Sequence, residues 1–289
     1  MNANKNIKET FDFFREQLTG YYDIHEINSM LYILFEEYLQ INKTDILLYP
    51  EKNISVSQYS KISKAIEDLK NYRPLQYITA KAYFLGMEFI VGPGILIPRP
   101  ETEELVQWII DDHLGSDEIE ILDIGSSSGC VTICLDKFID GSKVFGIDIN
   151  EGSLDVARKN NEINKTNVGF SLFDICNEAG WDQFQKFDII VSNPPYVRES
   201  EKVFMSRNVL NHEPPEALFV SDDDPLVFYK EILKFSQSHL KTSGKIYFEI
   251  NEAFGREMVA LLEDKGFDDV VLRKDINGRD RFVRGKMVF

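Results

Sequence analysis

Cysteine is scarce in this chain: three in 289 residues, Cys130, Cys134 and Cys176, with no paired spacing. A disulfide framework is thereby excluded, and a reducing compartment, the cytoplasm, is expected. Cys130 and Cys134 stand four apart in an apolar stretch and read as buried small hydrophobes rather than metal ligands. The four histidines, His25, His113, His212 and His239, form no ligand cluster along the sequence, so no metal is expected. Long apolar runs are lacking too. None could span a bilayer, and the opening Met1-Asn2-Ala3-Asn4-Lys5-Asn6 has no hydrophobic signal region, so no membrane role is expected. Positive charge is in short supply, with 32 Lys and Arg against 48 Asp and Glu, a formal net charge of −16. A chain that neutralises a phosphate backbone normally presents clustered Lys and Arg; here they are dispersed and outnumbered. No direct nucleic-acid partner is expected, and an acidic surface is better matched to a basic protein.

What is present suffices for one large domain plus a small one, with a proper core. Ile27, Leu31, Leu34, Phe35 and Tyr38 fall at helical spacing, as do Tyr59, Ile62, Ile66 and Leu69. Residues 1–72 are therefore expected as a small helical domain without chemistry of its own, serving either to dock a partner or only to stabilise. From Leu75 to Val91 aromatic and β-branched residues take over, with Gly86 and Gly92 as turn markers. That pattern predicts a β-hairpin linker within 73–104. Pro98 and Pro100 force an extended entry, and Glu101 or Thr102 is expected to start a helix through Leu105, Val106 and Ile109. Over 105–289, strand-like runs at Glu120–Ile124, Val144–Asp148, Gly169–Asp174, Phe187–Ser192 and Lys245–Ile250 alternate with helical ones. Alternation of this kind predicts an α/β domain built on a doubly wound, mostly parallel sheet. Asp269–Asp275 and Asp280–Val283, joined around Asn277-Gly278, predict a closing antiparallel hairpin at or near the sheet edge.

Two constellations carry chemistry. The first is the loop Gly125-Ser126-Ser127-Ser128-Gly129 between a strand and a helix, whose backbone amides can approach a ligand closely. Asp148 ends the next strand, about twenty residues on, where an acid meets ribose hydroxyls in nucleoside-binding folds. Asp174 ends the third strand and could take an adenine amino group. Singly, these read equally as a turn and two helix N-caps; in this order they point to a nucleoside cofactor. The loop lacks the third glycine of a dinucleotide fingerprint, which favours S-adenosylmethionine, a cofactor without phosphate. The second constellation is Asn193-Pro194-Pro195-Tyr196, leaving a buried strand. A planar NH2 group is a poor nucleophile because its lone pair is delocalised. The Asn193 side-chain carbonyl and the Pro194 backbone carbonyl can accept its two hydrogens, while the Tyr196 ring lies against its plane. A Pro-rich turn followed by a core Tyr is the plainer reading of the same four residues.

The chain resembles the HemK/PrmC family, the glutamine methyltransferases that modify peptide chain release factors. The resemblance runs from about Arg73 to the C-terminus. It rests on Arg73-Pro74-Leu75-Gln76-Tyr77, Ile97-Pro98-Arg99-Pro100-Glu101-Thr102-Glu103, Leu122-Asp123-Ile124-Gly125, Phe187 to Tyr196, Glu213-Pro214 with Ala217-Leu218, and Lys274-Asp275 with Gly278-Arg279-Asp280-Arg281. It implies a Rossmann-like methyltransferase fold that uses S-adenosylmethionine. By motif, Gly125, Ser126, Ser127, Ser128 and Gly129 form the cofactor loop, Asp148 is the ribose acid, and Asp174 and Ile175 are the adenine-side contacts. Asn193, Pro194, Pro195 and Tyr196 hold a substrate glutamine amide, with Asn193 also beside the cofactor. The implied substrate is the glutamine of the Gly-Gly-Gln loop of release factors. Two places depart from the family pattern. Ser127 stands where glycine is usual, and Val220-Ser221-Asp222-Asp223-Asp224-Pro225-Leu226 replaces a glycine-rich segment. Two other readings fit the tetrapeptide: a nucleic-acid amino methyltransferase acting on adenine or guanine, disfavoured by charge, and a nucleoside-binding protein without catalysis, disfavoured by the intact Asn193 and acids.

Overall fold

A computed structural model describes residues 5–115 and 118–288. The opening residues 1–4, part of the stretch read above as lacking a signal region, lie outside the described residues. The chain divides into two compact units, Met1–Ala80 with Ser206–His212, and Lys81–Met205 with Glu213–Phe289.

The first unit is helical: α1 (Ile7–Leu18), α2 (Ile24–Leu39), α3 (Lys43–Leu48), α4 (Val56–Lys70) and α5 (Leu75–Thr79). Asn6, Asn42 and Ser55 open α1, α3 and α4 with reciprocal capping boxes, satisfying amides that a helix start leaves unpaired. Apolar stripes from α1, α2 and α4 meet in one core around Phe14, Leu31, Leu34, Phe35 and Ile62. The stretch 75–79, expected to lead into the hairpin, is instead a helical turn. Pro74 sets the entry and Tyr77 turns inward, so local helical bonding wins over aromatic β-propensity.

The second unit begins with the hairpin β1 (Lys81–Phe84) and β2 (Met87–Ile90), then α6 (Pro100–Asp112). Helix α6 starts earlier than expected because Pro100 occupies its first turn, where the missing N–H costs nothing. There follow β3 (Glu120–Ile124), α7 (Cys130–Phe138), β4 (Lys143–Asp148), α8 (Glu151–Asn164), β5 (Gly169–Leu172) and β6 (Phe187–Ser192). Next come the short β7 (Val197–Arg198), α9 (Arg207–His212) and β8 (Phe219–Val220), then α10 (Val227–His239) and β9 (Leu240–Glu249). The chain closes with α11 (Gly255–Asp264), β10 (Phe267–Lys274) and β11 (Asp280–Met287). Of these, α9 groups with the helical unit. There Arg207 stacks over Tyr72 at 5.2 Å and His212 Nε2 donates to the Asn71 carbonyl at 3.0 Å.

Seven strands form one sheet in the order β10-β11-β9-β6-β3-β4-β5. Pairs from β9 to β5 are parallel, and β11 runs antiparallel to both neighbours, as the closing hairpin requires. Alternate residues feed two cores. Ile121, Ile189 and Val191 pack with α6 and α7 on one face; Leu122, Ile124, Ile190 and Phe248 pack with α10 and α11 on the other. From β3 the chain winds outward through β4 and β5, then returns to β6 on the other side of β3. The crevice beyond the carboxyl ends of β3 and β6 is therefore the topological switch point, where open α/β sheets bind ligands.

Candidate active site

A cleft of about 270 Å³ opens at that switch point. Gly125 and Ser127 line it after β3, Asp148 after β4, Asp174 and Ile175 beyond β5, and Asn193, Pro194 and Pro195 after β6. The Gly/Ser loop reaches the cleft by repeated left-handed turns, with φ of +84° at Gly125, +47° at Ser127 and +79° at Gly129. Gly125 tolerates that backbone freely. Ser127 does not, since an L side chain in this region costs of order 1 kcal/mol or more. Gly129 is fixed by space: a Cβ there would come within 3.0 Å of Phe170 and 3.1 Å of Ala157.

Of the loop residues expected at the cofactor, Ser126, Ser128 and Gly129 are not among those that line the cleft. Ser126 Oγ donates to the Asp123 carbonyl, and the Ser128 carbonyl accepts from Asn160 Nδ2 at 2.9 Å. Asp148 carries the opposite arrangement. Its Oδ2 accepts the Ser127 N–H and its Oδ1 the Asn150 N–H, both at 2.8 Å. A carboxylate has about four acceptor positions, so it can take further donors beside these amides. Burial raises the Asp148 carboxyl above the ordinary Asp range, partly offset by those amides. Behind it, Asp123 is fully buried and is pushed up to about 7 by that burial, while Thr132 donates to it at 3.0 Å.

Among the described residues, those lining the cleft include the acids Asp148, Asp174 and Glu216 and no Lys or Arg. A pyrophosphate placed here would meet carboxylates without a counter-charge, which argues against a dinucleotide. A nucleoside bearing a positive charge suits the same walls. Phe173, Ile175, Phe228 and Ile232 provide apolar surface for a flat base. Among the described residues no group of His, Cys, Asp and Glu is arranged to hold a metal ion.

The tetrapeptide is anchored from below. Ser192 Oγ donates to the Ile124 carbonyl at 2.6 Å, tying the end of β6 to the end of β3. Asn193 Nδ2 donates to Thr102 Oγ1 at 3.2 Å, and Thr102 donates in turn to Glu249 Oε2 at 2.7 Å. Tyr196 does not line the cleft. Its hydroxyl donates to Glu249 Oε1 at 2.9 Å, and burial holds that phenol well above its ordinary range. Its backbone carbonyl accepts from Asn251 Nδ2 at 3.1 Å. The Arg281 guanidinium stands 5.9 Å from the ring centre.

These contacts explain why distant sequence blocks occur together. Glu213, almost fully buried, accepts from the Ile97 N–H and from Arg99 at 2.6 Å, joining the Pro98-Arg99-Pro100 block to Glu213-Pro214. Asp275 collects the Asn277 and Arg279 amides and the Arg281 guanidinium, which sets Arg281 behind Tyr196. The 220–226 segment also has a defined course. Val220 pairs with Arg198, Asp222 accepts the Ser200 N–H, and Asp224 pairs with Lys230.

Sequence reading missed Thr102, Glu249 and Asn160. Asn160 falls on the buried face of α8 with Leu154 and Ala157, where a polar residue at an apolar position was the available signal. Glu249 offered a similar one, an acid closing a buried strand.

Comparison with known proteins bears on the whole chain. Residues 102–221 match the methyltransferase small domain and residues 9–79 the PrmC N-terminal domain. The release factor glutamine methyltransferase of Flavobacterium psychrophilum is 41% identical over 94% of this chain and 95% of its own length. That of Bacteroides thetaiotaomicron is 41% identical over 94% and 96%. A crystal structure of a methyltransferase from Pyrococcus furiosus shares the fold, with a TM-score of 0.51, 18% identity, and coverage of 81% of this chain and 99% of that one. The chain belongs to the release factor glutamine methyltransferase family.

Proposed function

We propose that this enzyme transfers the methyl group of S-adenosylmethionine to the side-chain amide nitrogen of the Gly-Gly-Gln glutamine in peptide chain release factors. The observation that carries this reading is Asn193. Its amide is oriented by Thr102 and stands on the wall of an acid-lined cleft with no Lys or Arg among its described residues. When bound, S-adenosylmethionine supplies a methyl group on a positively charged sulfur. Asp148 is set to receive the ribose hydroxyls, since its carboxylate can take further donors beside the two backbone amides. Asp174 and Ile175 border the adenine, with Gly125 and Ser127 along the loop edge.

Asn193 Oδ1 and the Pro194 carbonyl then accept the two amide hydrogens of the substrate glutamine, bending its nitrogen from planarity and aiming the lone pair. Positioning of this kind is worth roughly 7–11 kcal/mol. Tyr196 acts from behind, through Glu249 and Asn251, to hold the turn. Once methylated, the amide is strongly acidic and needs no strong base; Asn193 passes its proton to water. The helical unit docks the release factor, in the cytoplasm, and no nucleic acid is contacted directly. Among the described residues no helix is long and apolar enough to cross a membrane.

The test is incubation with labelled S-adenosylmethionine and release factor, tRNA or DNA offered separately. Label is expected on the release factor glutamine. Label on tRNA or DNA and none on release factor would replace this reading.

A further inference from the structure

We propose that Thr102 and Glu249 are positioning residues for the amide methylation, fixing the direction in which Asn193 presents its side chain. The inference rests on the glutamine-methylating reading above. An asparagine amide has two ends of nearly equal shape, and only one orientation puts its acceptor toward a substrate N–H. What decides between them is a buried chain of hydrogen bonds with a defined polarity.

That polarity starts at Glu249. Its side chain is enclosed at the end of β9, with the residue only 1% exposed. As a carboxylate it can only accept. It therefore takes the single Thr102 hydroxyl proton at 2.7 Å on Oε2 and the Tyr196 proton at 2.9 Å on Oε1. With its proton committed, Thr102 Oγ1 can offer Asn193 only a lone pair. Asn193 must then turn Nδ2 toward Thr102, at 3.2 Å, and Oδ1 becomes the end that faces the cleft. Thr102 is itself 4% exposed, so its hydroxyl is shielded from solvent.

Burial raises the Glu249 carboxyl above the ordinary Glu range, and the Thr102 and Tyr196 hydrogen bonds and the Arg281 charge pull it back. Arg281, in the adjacent strand β11, stands over the Tyr196 ring and donates to the Ile250 carbonyl at 3.1 Å. Tyr229 donates to the backbone carbonyl of Glu249 at 2.9 Å. An enclosed carboxylate is costly unless hydrogen-bonded and paired. Here both of its oxygens serve residues of the Asn193–Tyr196 turn, directly or through Thr102.

Reversing the chain's polarity should reverse Asn193. In Glu249→Gln the new amide can donate to Thr102, freeing the Thr102 proton to point at Asn193 and favouring the flipped amide. Thr102→Val keeps the shape and removes the acceptor; Thr102→Ser restores it. The experiment measures kcat on release factor, S-adenosylmethionine affinity by calorimetry, and thermal melting for each variant. The expected result is a drop in kcat of roughly 100-fold for Thr102→Val and Glu249→Gln, with cofactor affinity retained and near-normal kcat in Thr102→Ser. Should Thr102→Val fail to fold, Glu249→Gln decides the question. Undiminished kcat in either variant, or failure of Thr102→Ser to recover it, would overturn the inference while wild type still methylates the glutamine. A wild-type enzyme that leaves the glutamine unmodified would overturn the functional reading and this inference with it.

Discussion

At the scale of single residues, the Gly125–Gly129 loop shows how a backbone angle limits a side chain. Ser127 sits at φ +47° on the cleft wall, with its N–H held by Asp148. Ser127→Val, with a branched Cβ in that region, should cost about 1–3 kcal/mol of stability and weaken cofactor binding, whereas Ser127→Gly should be tolerated. Denaturant melts and calorimetry check this, and a Val variant matching wild type would show that the loop carries no strain. Asp123 gives a pH dependence. Its carboxyl is pushed up to about 7 by burial, against about 3.9 in an unfolded chain. Between those values the folded protein holds a proton that the unfolded chain has released, so stability falls as pH rises through the window. Asp123→Asn cannot titrate. The stability of wild type relative to this variant should therefore decline between pH 4 and pH 8, and equal slopes for the two would contradict the assignment. Much of this scale was legible beforehand: the order of loop, two acids and Asn-Pro-Pro-Tyr needs only residue spacing. Which serine borders the cleft was not, because a loop with three left-handed residues has no side-chain period to read.

Among elements, Asn160 joins parts of the chain far from its own helix. From the buried face of α8 it donates to the Ile90 carbonyl at 3.0 Å and the Ser128 carbonyl at 2.9 Å, and accepts the Ile90 N–H. It thus ties the β1–β2 hairpin and the Gly125–Gly129 loop to one helix. Asn160→Ala would remove the partner of three backbone groups around a fully buried position. The expected loss is about 2–4 kcal/mol of stability, measured by urea unfolding, together with weaker cofactor binding. A loss below about 0.5 kcal/mol, ordinary for a surface position, would mean that water replaces the side chain. The longer strands of the sheet and the helices through Ile27–Tyr38 and Tyr59–Leu69 followed from periodicity, whereas α9, α11 and the short β7 and β8 were not read. Leu75–Thr79 and the start of α6 at Pro100 differed from expectation, because a proline sets a local start that hydrophobic pattern does not encode.

For the whole molecule, sequence reading reached the parallel sheet and the closing hairpin but not the strand order or the grouping of Ser206–His212 with the helical unit. Both depend on contacts between residues far apart in the chain, which local pattern cannot carry. The same is true of the Asn193–Thr102–Glu249–Tyr196 chain, whose members span 147 positions between Thr102 and Glu249. The acidic balance, −16 overall, was read as turning nucleic acid away. The central claim is that Asn193 acts on the substrate amide rather than on the cofactor. It is tested most directly by measuring, for Asn193→Ala, single-turnover methylation of release factor alongside S-adenosylmethionine affinity. Asn193→Ala is expected to slow methyl transfer by about 100-fold or more, the scale of losing one fixed polar group at a reacting centre, while cofactor affinity changes far less. Near-normal transfer, or a loss of rate matched by an equal loss of cofactor affinity, would contradict the account.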